Sequence, residues 1–128
     1  MRYLDDDYIS SALNRGKSVE QFLGKSPEDP GCIRHVELRP TRGVIELWVY
    51  DAEDIGDEEF LDLYDFPTLT DEDDEGPVAT FDDVEAALAL AQEKIGADRT
   101  RWTNALIGQS EYLDYIRAGR PDRWPLEA

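Results

Sequence analysis

The stretch from Ile33 to Tyr50, IRHVELRPTRGVIELWVY, decides the fold. From Ile33 to Arg39 the residues alternate, with Val36 and Leu38 on one face and His35, Glu37 and Arg39 on the other. That period is the mark of a strand. His35 is expected there as an exposed strand residue. Pro40, Thr41, Arg42 and Gly43 carry turn chemistry. Val44 to Tyr50 is rich in β-branched and aromatic residues, which suit a pleated, half-buried surface. Ile45, Leu47 and Val49 line one face, and Val44, Trp48 and Tyr50 line the other, interrupted by Glu46. A strand apolar on both faces is central in its sheet, or is half covered and half a contact surface. The two strands predict an antiparallel hairpin.

Working outward, Asp5 to Asp7 followed by Tyr8, Ile9, Ala12 and Leu13 predict a short helix that stops at Gly16. Ser18 and Gln21 form a capping-box pattern. They predict a second short helix with Val19, Phe22 and Leu23 on its apolar face and Gly24 at its end. Lys25 to Gly31 is a loop. Beyond the hairpin, Asp51 to Glu59 is an acidic connector, and Phe60 to Phe66 (FLDLYDF) reads as a third strand, with a helix over Asp57 to Asp65 as the competing reading. Thr70 to Pro77 is a like-charged loop. Thr80 to Ile95 is the clearest helix, N-capped by Thr80 and closed by Gly96. Asp98 to Gly108 is ambiguous. Ser110 caps a last helix through Ala118, and Arg120 to Ala128 is a tail. The order predicts one α+β domain over residues 1–128, an antiparallel sheet of about three or more strands with helices on one face.

Charge is distributed very unevenly. Gly43 to Glu93 holds 18 of the 30 acids and none of the 13 Lys and Arg, so the net charge of −17 belongs to that segment. A one-signed field destabilises the compact state, and a cationic partner is one reason to keep it. A polyanion also disfavours direct contact with nucleic acid or anionic lipid. No stretch is apolar enough for a membrane span, and Met1 to Asp7 lacks the apolar run of a secretory signal. The single cysteine, Cys32, excludes an internal disulfide and any cysteine-based metal site, and suits a reducing, cytoplasmic location.

Catalytic patterns are sparse. His35 is the one histidine, and Cys32 has no activating neighbour in sequence beyond Arg34 and His35. Carboxylate pairs for acid–base work are everywhere and so single out nothing. Asp71, Asp73, Glu75 and Gly76, with Val78 and Asp82, partly match a calcium loop, but Pro67 spoils the entering helix. No metal or cofactor is therefore expected. From Trp48 to Phe66, by contrast, acids interleave with Trp48, Tyr50, Ile55, Phe60, Tyr64 and Phe66, and aromatic anchors within a charged rim build protein interfaces.

In size, charge and this acidic–aromatic stretch the chain resembles the small immunity proteins of bacterial toxin systems, such as contact-dependent growth inhibition. The likeness lies in layout and not in a signature motif, so it carries over no residue. It implies a non-enzymatic cytoplasmic inhibitor of a cognate basic toxin, often a nuclease. Asp51, Glu53, Asp54, Asp57, Glu58, Glu59, Asp62 and Asp65 would meet the toxin's Lys and Arg, and Trp48, Tyr50 and Tyr64 would anchor. The other readings are a nucleic-acid mimic acting on a DNA- or RNA-binding protein, and a calcium-binding or carboxylate-dependent protein.

Overall fold

The computed structural model describes residues 2–69 and 76–126. In chain order these form α1 (Asp6–Asn14), β1 (Val19–Lys25), β2 (Cys32–Thr41), β3 (Val44–Glu53), a 3-10 turn (Leu63–Asp65), β4 (Ala79–Phe81), α2 (Val84–Leu90), β5 (Thr103–Asn104) and α3 (Gly108–Arg117). α2 continues as a π-helical turn, Ala91–Ile95. The strands make one antiparallel sheet in the order β4-β3-β2-β1-β5, so the α+β expectation holds.

The β2–β3 hairpin forms as the alternation predicts, paired from Thr41↔Val44 down to Cys32↔Glu53. Its two-residue turn, Arg42 and Gly43, has φ of 48° and 84°. Two positive φ values give a turn whose twist matches that of the strands it joins. Val36, Leu38, Ile45 and Leu47 then point to one face. There they are buried with Ile9, Ala12 and Leu13 of α1 and Ala87 and Leu88 of α2. A second core lies on the other face, where Phe22, Ile33 and Ala52 pack with Leu63, Phe66, and Tyr112 and Tyr115 of α3. The one-face expectation thus describes α1 and α2, while α3 sits opposite them.

The second short helix expected after Ser18 is instead strand β1, and burial on both faces is the reason. Val19 joins the α1–α2 core and Phe22 the α3 core, which a helix with both residues on one side could not do. Gly24 does not end a helix. It follows a bulge where the β1–β2 register shifts, with φ 89°, and a Cβ there would lie 2.6 Å from Cβ of Trp124.

The third strand expected over Phe60 to Phe66 is absent, and the competing helix shrinks to the turn Leu63–Asp65. Residues 54–69 form a strap across the second face. Pairing at its ends holds it, with Glu53 N–H donating to Pro67 O at 2.8 Å and Leu69 N–H to Asp51 O at 2.9 Å. The Thr80 helix also starts later than expected. Ala79–Phe81 pair with Ile45–Leu47 as β4, and Asp83 is the N-cap, accepting from Ala86 N–H at 2.8 Å. Gly96, at φ 82°, ends the π turn as expected. The ambiguous segment supplies β5, and α3 begins at Gly108, before Ser110. The proposed calcium loop falls largely on residues 70–75, outside the described residues.

Candidate functional site

The second face of the sheet carries the site. Cross-strand pairing lines up Glu20, Glu37 and Trp48 in one rung and Phe22, His35 and Tyr50 in the next, with Arg39 opposite Glu46. Trp48 and Tyr50 stack with centroids 6.1 Å apart, and Tyr50 stacks on His35 at 4.8 Å. Tyr64, from the strap, meets Tyr50 edge-on at 5.5 Å and His35 at 5.0 Å. The three aromatic residues singled out in the sequence are thus brought together. The Arg39 guanidinium lies 4.2 Å from the Trp48 ring centre and also donates to Glu37 at 2.8 Å, whose carboxylate accepts the Tyr50 hydroxyl at 3.1 Å.

His35 corrects the expectation of an exposed strand histidine. It is 2% exposed beneath the two tyrosines, and burial pushes its pKa down to about 4. Its Nδ1 has no hydrogen-bond partner among the described residues. The ring is therefore neutral near pH 7 and enclosed. Burial also pushes the Cys32 thiol up, assisted by the charge of Asp29 and Glu53, which opposes thiolate formation. Among the described residues no three His, Cys, Asp or Glu side chains converge to hold a metal ion.

The eight acids expected at the contact separate into two groups. Asp51 and Asp54 hold the fold. Asp51 accepts Arg34 Nε at 2.8 Å and Nη2 at 2.9 Å, and also the Ser26 hydroxyl at 2.7 Å. Asp54 accepts the Tyr112 hydroxyl at 2.5 Å and is paired with Arg120. Glu58 pairs with Arg117 at 3.1 Å, but both side chains are well exposed, and such pairs contribute little. Glu53, Asp57, Glu59, Asp62 and Asp65 have no ion-pair partner among the described residues, and all but Asp62 are exposed. Asp62 and Asp57 cap local turns through Tyr64 N–H and Glu59 N–H. All of these acids but Glu53, the last residue of β3, lie on the strap that carries Tyr64.

Comparison with family models, curated proteins and solved structures finds no match. The site therefore rests on its own geometry.

Glu20 is the residue that sequence reading missed. It is 2% exposed, and its two oxygens accept the Tyr64 hydroxyl and the Gly108 N–H, each at 3.0 Å. Burial raises its pKa, opposed by the backbone N–H groups of Leu106 and Gly108 and by Tyr64. One carboxylate thus fastens the strap and caps α3, whose own N-cap residue, Ile107, has no side-chain cap. A period-2 reading of Val19 to Lys25 would have put Glu20 and Phe22 on one face. The capping-box pattern at Ser18 and Gln21 hid it.

Proposed function

We propose that this protein is a non-enzymatic, cytoplasmic immunity-type inhibitor that binds a basic toxin domain, most simply a nuclease, through its strap and the adjoining aromatic ladder. One observation carries the reading. Asp57, Glu59, Asp62 and Asp65 have no ion-pair partner among the described residues and lie on the same strap as Tyr64, which is 40% exposed and set edge-on against the Trp48–Tyr50–His35 ladder. Nine of the chain's 13 Lys and Arg, by contrast, form ion pairs within the fold. The strap's charge is therefore left facing outward. Unpaired rim charge steers an oppositely charged partner, and exposed aromatics supply the anchor. Asp51 and Asp54 support the surface from behind.

The test is protection from toxicity. The protein is co-expressed with a panel of basic C-terminal toxin domains of secreted bacterial proteins, each with a pI above about 9. Rescue of growth by one domain's stoichiometric complex supports the reading. Rescue from none of the panel, with no complex to any inactivated domain, contradicts it. Binding to several unrelated nucleic-acid-binding proteins would favour a nucleic-acid mimic.

A further inference from the structure

Leu106 has φ 75°, the left-handed region that bulky L residues avoid, and it is 59% exposed. Ile107 beside it is 37% exposed. The fold therefore keeps two apolar side chains in water on a strained turn. Backbone strain of this kind persists where the surroundings over-determine it, and it gathers at functional sites.

The buried Glu20 holds this turn. Its carboxylate accepts Gly108 N–H at 3.0 Å, and the Leu106 N–H further stabilises its charge. A Cβ on Gly108 would lie 2.5 Å from Glu20 Oε2, so a larger residue there would push the carboxylate off this N–H. The other oxygen of the same carboxylate holds the Tyr64 hydroxyl. Glu20 therefore couples the Leu106–Ile107 turn to the strap, and Asp62 and Asp65 flank Tyr64 there. A buried carboxylate and a strained leucine both cost stability, and the exposed leucine gives little burial in return.

We infer that Leu106 and Ile107 form the apolar centre of the partner contact and seat in an apolar pocket of a cationic protein whose Lys and Arg meet Asp62 and Asp65. The inference rests on the proposed function and adds to it a second element, remote in sequence from the acidic strap. Charge complementarity names the occupant. Asp62 and Asp65, which flank Tyr64 on the strap, have no ion-pair partner among the described residues, and a net charge of −17 repels a second copy of this chain, nucleic acid and anionic lipid alike. Apolar anchors act mainly on dissociation, and the charged rim acts mainly on association.

The test is Leu106→Gly. Glycine adopts this φ freely, so the variant keeps or gains thermal stability while losing the anchor. Its binding kinetics are measured against the inactivated basic toxin domain selected by co-expression. Dissociation is expected to speed up about ten-fold or more at an unchanged association rate, with Ile107→Ala changing it less and in the same direction. A photo-crosslinking side chain at position 106 is expected to capture the toxin domain. The same group at Tyr8, 64% exposed on α1 behind the sheet, is not. Unchanged dissociation of Leu106→Gly from a domain that still binds overturns the inference and leaves the acidic-face reading standing. Failure of every basic domain to bind overturns both.

Discussion

Tyr64 donates its hydroxyl to Glu20 Oε1 at 3.0 Å while its ring meets His35 and Tyr50 edge-on. This contact joins the strap to the centre of the sheet. Each aromatic contact is worth about 0.5–1.5 kcal/mol beyond its area, so the strap stays seated although much of its outer surface is charged. Burial, and next the charge of Glu20, push the Tyr64 hydroxyl well above the usual phenol range. The phenol therefore remains a donor at neutral pH.

Glu20 makes acid favourable at one position. Burial raises its folded pKa above the ordinary 4.5, so the folded chain holds that proton more tightly than the unfolded chain does. Its stabilising contribution is complete below about pH 4.5 and is lost as pH rises through the raised folded value. Glu20→Gln does not titrate. The melting temperature of the variant relative to the parent is therefore expected to rise between about pH 4 and pH 7. A relative melting temperature of the variant that stays constant or falls over this range would contradict the burial of a charged Glu20.

His35 acts in the opposite direction. Its pKa falls from 6.5 to about 4, so the unfolded chain takes up the proton first. Stability from this group is complete above pH 6.5 and is lost as pH falls through about 4, by about 3 kcal/mol in all. His35→Phe preserves a ring between Tyr50 and Tyr64 and removes the unpartnered Nδ1. Urea unfolding across this range is expected to show a shallower acid-side loss for the variant. An identical slope would contradict the assignment.

Asp51 stabilises the fold and is not expected to steer a partner. Asp51→Ala leaves Arg34, whose side chain is 14% exposed, without its bidentate partner, and is expected to cost about 2–3 kcal/mol by denaturant unfolding. At a temperature where the variant stays folded, its association rate with the toxin domain is expected to change less than that of Asp65→Ala. A rate loss equal to or larger than that of Asp65→Ala would move Asp51 into the contact.

Gly56 fixes the path of the strap. An added Cβ would lie 2.5 Å from Phe60 O, 2.5 Å from Tyr112 Cε2 and 2.7 Å from Phe66 Cζ. Backbone and packed rings have little room to yield, so Gly56→Ala is expected to cost about 1–3 kcal/mol. A melting temperature equal to the parent's would contradict the packing described.

Much of this was legible in the chain. The β2–β3 hairpin was visible because its strands alternate cleanly and end on Arg42–Gly43. Trp48 and Tyr50 share a face by that same alternation, whereas Tyr64 reaches them from a strap that the sequence presents as a strand. What stayed hidden was set by tertiary pairing. β1 carries a helix-like cap pattern that its position between two cores overrides, and β4 and β5 are too short to show a period. The two roles of the acids were equally invisible. Asp51 and Asp54 differ from Asp57 and Asp65 in the partners that other parts of the chain deliver, Arg34 and Ser26 to the first and Arg120 and Tyr112 to the second. Glu20 had no signal once β1 was read as a helix.

The central claim is that the strap's unpaired charge draws in a basic protein. The most direct measurement is the association rate with the cognate toxin domain across a salt series. It would be made for the parent and for a variant with Asp57, Glu59, Asp62 and Asp65 each changed to Lys, with circular dichroism confirming the fold. The account predicts a parent rate that falls from about 10⁸ M⁻¹s⁻¹ at low salt toward about 10⁶ M⁻¹s⁻¹ at high salt, and a slow variant whose rate does not fall with salt. A parent rate that is flat in salt, or a folded variant that associates as fast as the parent, would contradict it.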